Sequence, residues 1–272
     1  MVLVSGAARV AGVIGWPVAH SRSPRLHNHW LRRHGIDGAY VPLPVAPGAL
    51  AEAVAGLRAA GFAGANVTLP HKEAAFAVCD QVDASALRAG AVNTLVFGED
   101  GVLGSNTDGV GFMENLRAHG VEAGGAALVL GAGGAARAVA AALLDAGGAV
   151  SVANRSRERA ERLAEALPGL RVVDWEARGD ALADQALLVN TTSLGMVGHG
   201  ALALDLGRAG AGMAVADIVY APLETALLAE ARARGMRAVE GLGMLLHQAR
   251  PGFAAWFGVE PVVDEETWAL LA

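Results

Sequence analysis

At 272 residues the chain exceeds one ordinary hydrophobic core and suits two domains of moderate size. Hydrophobic residues make up 53% and charged residues 18%, so there is ample apolar surface to bury and intrinsic disorder is excluded. The net charge of −6, with no Lys or Arg run lacking nearby acids, argues against a nucleic-acid footprint.

A mean hydropathy of +0.38 raises the question of a membrane. The longest uncharged stretch, residues 185–204, is broken by Asn190, Thr191, Thr192, Ser193 and His199, which no bilayer-spanning helix would choose. No membrane partner is expected. The single cysteine, Cys79, cannot form an internal disulfide, and no Cys/His cluster has the spacing of a metal site. Arg9 interrupts any leader-like N-terminal segment, which favours the cytoplasm.

Apolar runs alternate with helical periodicity along the chain, the signature of α/β architecture with parallel sheets. The first half reads as strand 10–15, helix 24–34 with Ser23 as N-cap and Pro24 in the first turn, strand 40–45, helix 50–60 and strand 65–69. A helix from Lys72, a short helix at 85–88, and strands at 92–97 and 102–104 follow. Thr107 caps a helix to about His119, and residues 120–125 read as a crossing between domains. There, strand 127–130 precedes helix 135–146, strand 149–153 and helix 157–166. Further strands fall at 171–173, 187–190, 213–217 and 237–240, and 244–257 is helical. The expected division is a substrate-binding and catalytic α/β domain at 1–107, a Rossmann domain at 108–243, and a helical segment at 244–272 packing back on the first domain.

Strand 127–130 runs into Gly131-Ala132-Gly133-Gly134-Ala135-Ala136, the G-x-G-x-x-G/A spacing of a dinucleotide loop. Gly131 serves the tight turn, Gly133 the close approach of pyrophosphate, and Ala136 the packing of helix on strand. Free N–H groups at the helix start then meet the phosphates. The end of the next strand decides between cofactors. Asp or Glu there would accept from a ribose 2′-OH, but this chain has Asn154-Arg155-Ser156, with Arg157 and Arg159 beyond. A guanidinium fork suits a 2′-phosphate, so NADP is the expected cofactor.

In the first half, Asn66-Val67-Thr68-Leu69-Pro70-His71-Lys72 puts polar residues on one face of an apolar strand and a lysine just past its end. Gly90-Ala91-Val92-Asn93-Thr94 and Ser105-Asn106-Thr107-Asp108-Gly109 do the same. Three strand ends thus present Asn, Thr, Lys and Asp, a set able to bind hydroxyls and a carboxylate. With His20-Ser21-Arg22-Ser23-Pro24, the segments 154–159, 190–195 and 241–248, and the glycine loop, these motifs resemble the shikimate dehydrogenase family in order and over nearly the whole chain.

The resemblance implies NADPH-dependent reduction of 3-dehydroshikimate to shikimate, in a cleft between a substrate domain and a Rossmann domain, by a monomer or homodimer. Lys72 would be the catalytic acid/base with Asp108 as its partner. Ser21, Ser23, Thr68 and Tyr220 would bind the carboxylate, and Asn66, Asn93, Asp108 and Gln248 the ring hydroxyls. Thr192, Ile218 and Gly241 would join residues 131–135, Asn154, Arg155, Ser156 and Arg159 around the cofactor. Where some family members carry an acidic residue near the cofactor, this chain has Ala84 after Asp83. Trp16 is a bulky choice at a strand end, either wall or packing. The rival readings are a quinate or dual quinate/shikimate enzyme using NAD, a non-catalytic dinucleotide-binding regulator, and another two-domain enzyme such as a methylene-tetrahydrofolate dehydrogenase. The paired serines and Arg155/Arg159 speak for shikimate and NADP. The polyol-binding set does not suit a pterin.

Overall fold

The computed structural model describes residues 4–210 and 212–272. The chain divides into two compact units: one ends at Thr107 and resumes from Gln248 to Ala272, and the other is Asp108–His247.

The first unit contains β1 (Arg9–Gly15), α1 (Ser23–Arg33), β2 (Gly38–Pro44), α2 (Leu50–Ala59), β3 (Gly64–Val67), β4 (Gln81–Val82), α3 (Ala84–Ala89), β5 (Thr94–Gly98) and β6 (Gly101–Ser105). Its sheet runs β2-β1-β3-β5-β6-β4. β1 pairs in parallel with β2 and β3, and the chain changes direction of winding there, so the carboxyl ends of β1 and β3 flank a switch point. The expectation of wholly parallel sheets fails in this unit. β5 runs antiparallel to β3 and β6, because Gly98 pairs with Gly101 across the two-residue link Glu99-Asp100, which only a hairpin can span.

Two local expectations also fail here. The stretch after Lys72 is a short 3-10 segment, Ala74–Val78, since the chain must already enter β4 at Gln81. Ser23 is not the N-cap of α1 but its first residue. The cap is Arg22, whose side chain makes no capping bond to α1, and the Ser23 N–H donates to Ser21 Oγ at 3.3 Å instead.

The second unit contains α4 (Asp108–Ala118), β7 (Ala126–Leu130), α5 (Gly134–Asp145), β8 (Ala149–Ala153), α6 (Arg157–Ala166), β9 (Arg171–Val173), β10 (Leu187–Asn190), β11 (Ala214–Asp217), α7 (Ala226–Ala233) and β12 (Arg237–Val239). All six strands are parallel in the order β12-β11-β10-β7-β8-β9. This is the doubly wound dinucleotide-binding order, with its switch point between β7 and β10. Residues 120–125 join α4 to β7 inside this unit rather than linking the two units. β7 shows why the strands read as unbroken apolar runs. Ala127 and Val129 pack with Phe112, Val139 and Leu163 on one face, and Leu128 and Leu130 with Leu182, Leu227 and Leu228 on the other.

α8 (Gly241–Phe257) begins in the second unit and ends in the first, and α9 (Glu265–Leu271) follows. In the first unit, Phe253 and Trp256 of α8 pack with His27, Trp30 and Tyr40. Leu50, Val54, Val67 and Leu95 form the core on the other side. Among the described residues, no helix is long and apolar enough to cross a membrane, and no His/Cys/Asp/Glu group could hold a metal ion.

Candidate functional site

In the first unit the polar strand ends converge into one hydrogen-bonded line. Asn66, near the end of β3, is 6% exposed. Its Nδ2 donates to the Asn93 carbonyl and to Thr94 Oγ1, both at 3.2 Å, and its Oδ1 accepts from the Tyr40 hydroxyl at 2.6 Å. Thr94 Oγ1 donates to Asn93 Oδ1 at 2.9 Å, and Asn93 Nδ2 reaches Thr107 Oγ1 at 3.0 Å and Gln248 Oε1 at 3.4 Å. Asn66, Asn93 and Gln248, three residues expected to bind ring hydroxyls, therefore share one network. Thr107 and Thr94 belong to it as well. The Thr107 hydroxyl, expected as a helix cap, bonds Asn93 and lies 3.4 Å from Gln248 Oε1.

Thr68 and Lys72 follow β3. The Thr68 N–H donates to the Ile14 carbonyl at 2.9 Å, which pins the end of β3 to β1. His71 Nε2 lies 2.7 Å from the Val45 carbonyl, so that buried ring anchors the turn rather than facing a ligand. Lys72 is half-buried, and its carbonyl accepts the Val92 N–H at 2.8 Å, which ties the lysine to the strand leading into Asn93. Ser21 is half-buried in the loop after β1, and Ser23, the first residue of α1, is buried. Trp16 is 49% exposed, so it is not a packing residue of the core. Asp83 is a structural cap: its Oδ1 accepts the Ala86 N–H at 2.9 Å at the start of α3.

In the second unit Asp108 is the first residue of α4 and is 4% exposed. The glycine loop has the mechanics its spacing predicts. Gly131 has φ +112°, and a Cβ there would lie 2.7 Å from Thr191 Oγ1, so only glycine suits the turn. A Cβ on Gly133 would meet nothing within 4 Å, leaving the mouth of the loop open, whereas Ala136 is buried against the sheet. At the end of β8, Asn154 Nδ2 donates to the Ser156 carbonyl at 2.9 Å, and Ser156 caps α6 by accepting the Arg159 N–H. Arg157 is bound to Glu161 at 2.7 Å and to Asp174, so it is taken out of the basic trio. Arg155 and Arg159 are exposed and form no ion pair among the described residues.

The loops after β10 and β11 are joined by a buried carboxylate that the sequence reading did not single out. Asp217 Oδ1 accepts from Asn190 Nδ2 and the Val219 N–H at 3.0 Å, and Oδ2 accepts from Thr225 Oγ1 at 2.8 Å. Burial pushes its carboxyl above the ordinary value, and these three donors pull the other way. Asn190 Oδ1 in turn accepts from the Thr192 N–H and hydroxyl at 3.0 and 2.8 Å. Thr192, Ile218 and Tyr220 are thus carried by one braced pair of loops. Gly241 adjoins them, since a Cβ there would fall 2.4 Å from the Ile218 carbonyl carbon and oxygen. The Asn-Thr-Thr and Asp-x-x-Tyr strings were visible in the sequence, but their pairing needed the strand order.

Two family models match the chain: the shikimate dehydrogenase substrate binding domain over residues 13–95, and shikimate / quinate 5-dehydrogenase over residues 117–195. A shikimate dehydrogenase (NADP(+)) of Acidiphilium cryptum is 70% identical over 272 residues, covering 100% of this chain and 98% of the relative. A crystal structure of shikimate 5-dehydrogenase from Thermus thermophilus in complex with NADP(H) and shikimate is 42% identical, with a TM-score of 0.89 over 96% of this chain and 98% of that one. Quinate dehydrogenase from Corynebacterium glutamicum in complex with NAD is 32% identical, with a TM-score of 0.90 over 96% and 99% of the two chains. With its Rossmann sheet, its glycine loop and its polar strand ends, the chain belongs to the shikimate dehydrogenase family.

Proposed function

We propose that this chain catalyses the reversible NADPH-dependent reduction of 3-dehydroshikimate to shikimate in the cytoplasm, as a monomer or homodimer. The observation that carries the reading is the line from Asn66 through Asn93 to Gln248, a polyol-binding set in the same unit as Lys72. In this reading Ser21, Ser23, Thr68 and Tyr220 bind the substrate carboxylate, and Asn66, Asn93, Asp108 and Gln248 its hydroxyls. NADPH, when bound, supplies the hydride that reduces the ketone carbon. The Lys72 ammonium stabilises the oxygen as negative charge develops on it and delivers the proton that completes the alcohol, and Asp108 orients the ammonium. In the reverse direction neutral Lys72 takes the hydroxyl proton.

The glycine loop at 131–135 fits a pyrophosphate, because the turn at Gly131 is tight and the face of Gly133 is open. Asn154, Arg155, Ser156 and Arg159 hold the 2′-phosphate side, and Thr192, Ile218 and Gly241 the nicotinamide side. The likeness to the NAD-bound quinate dehydrogenase supports a second reading, a quinate enzyme using NAD. An absorbance assay at 340 nm with shikimate or quinate and NADP or NAD separates them. Shikimate with NADP should give the highest kcat/KM; a lead for quinate with NAD would replace the first reading by the second, and no turnover with any pair would favour a regulator. Lys72→Ala should lower kcat by a factor on the order of 10² or more. A kcat within a few-fold of the parent would remove Lys72 from the chemistry.

A further inference from the structure

We infer that Tyr40, a residue buried outside the binding set, is a positioning residue that makes Asn66 a one-sided reader of a substrate hydroxyl. The inference rests on the proposal that Asn66 touches the substrate. The Asn93 carbonyl can only accept a hydrogen bond, so the side of the Asn66 amide facing it at 3.2 Å must be the NH2 group. The second amide hydrogen goes to Thr94 Oγ1. The Asn66 oxygen is therefore turned toward β2, where the Tyr40 hydroxyl donates to it at 2.6 Å. An amide oxygen has two lone pairs, and Tyr40 occupies one. What Asn66 has left for a ligand is one acceptor position and no donor. It can take a hydroxyl that donates, and it offers nothing to a carbonyl or an ether at the same place.

Tyr40 is held for this task from several sides. Its ring is 2% exposed and lies flat on His27, with centroids 4.0 Å apart and planes 4° from parallel. Asn28 clamps its backbone, donating to the Tyr40 carbonyl at 2.7 Å and accepting its N–H at 3.1 Å. His27 is fully buried with no partner on either ring nitrogen, and burial holds its pKa down to about 3, so the ring under Tyr40 is neutral. The phenol cannot swing away without breaking this stack, so the Asn66 oxygen keeps its direction whether or not substrate is bound.

The test is a double-mutant cycle of Tyr40→Phe and Asn66→Ala, read as KM for shikimate, KM for NADP and kcat. Tyr40→Phe keeps the aromatic stack and should leave the melting temperature nearly unchanged. It should raise KM for shikimate by about three- to tenfold, the worth of one hydrogen bond, with KM for NADP unchanged. In the Asn66→Ala background, Tyr40→Phe should have no further effect on KM. Equal effects of Tyr40→Phe in both backgrounds, or no effect in either while Asn66→Ala raises KM, would overturn the role of Tyr40. A KM for shikimate unmoved by Asn66→Ala would instead overturn the placing of Asn66 in the binding set, and the inference with it.

Discussion

Arg155 and Arg159 carry the choice between the two nicotinamide cofactors. Both are exposed after β8 and neither has an acidic partner among the described residues, so their guanidinium groups are available to a 2′-phosphate. Each charge-assisted bond to phosphate contributes about 1.5–3 kcal/mol, roughly tenfold to a hundredfold in affinity. The double variant Arg155→Ala/Arg159→Ala should therefore raise KM for NADPH at least tenfold, with KM for NADH little changed. An equal loss with both cofactors would mean that the arginines serve the fold or the pyrophosphate instead. The sequence favoured Arg155 and Arg159 over Arg157 without showing what engages Arg157. Glu161, one turn along α6 from Arg157, was a legible partner, but Asp174 reaches Arg157 only because β9 lies beside β8. Tyr40 was opaque for the same reason: its bond to Asn66, 26 positions away, exists because β2 and β3 flank β1.

Elements were legible where their periodicity was long and their ends were not. β8, α6, β9 and β10 fall where the apolar pattern puts them, whereas the start of α1 and the stretch after Lys72 were decided by loop chemistry and chain length. One contact between elements brings a pH dependence that composition does not display. His119, at the end of α4, places Nε2 3.5 Å from Glu240, just after β12, and Nδ1 2.9 Å from the Asn115 carbonyl. The hydrogen bond to Glu240 is the main cause that raises the histidine above its ordinary value of 6.5, while burial and Arg232 lower it. The same bond lowers Glu240 below 4.5. A raised histidine contributes stability that is complete below pH 6.5 and lost as pH rises through its folded value. A lowered glutamate contributes above pH 4.5 and loses its share as pH falls. The pair is thus most effective between pH 4.5 and 6.5. His119→Gln should remove a decline of about 2 °C in melting temperature between pH 6 and 8.5, seen as a flatter profile than that of the parent. Identical profiles would show that the pair does not contribute.

For the whole molecule, the decisive feature is that one unit is continuous and the other is completed by a returning helix. The second unit is made from the single stretch Asp108–His247 and packs both faces of its sheet with its own helices. The first has Phe253 and Trp256 of α8, both fully buried, in its aromatic core, and the Trp256 indole donates to the Leu95 carbonyl at 2.9 Å. That the apolar helix packs back on the first domain was an expectation of the sequence, but the particular partner of its Trp256 was not legible, because 161 positions separate Trp256 from Leu95. Removing a fully buried indole typically costs about 3–5 kcal/mol. Trp256→Ala should therefore lower the unfolding transition of the first unit strongly and leave that of the second near its original temperature, which differential scanning calorimetry would show as a split endotherm. An isolated 108–247 fragment should then melt cooperatively at the temperature of the upper transition. A single endotherm that moves as a whole in Trp256→Ala, or a fragment without a cooperative transition, would show that the second core is not sufficient by itself.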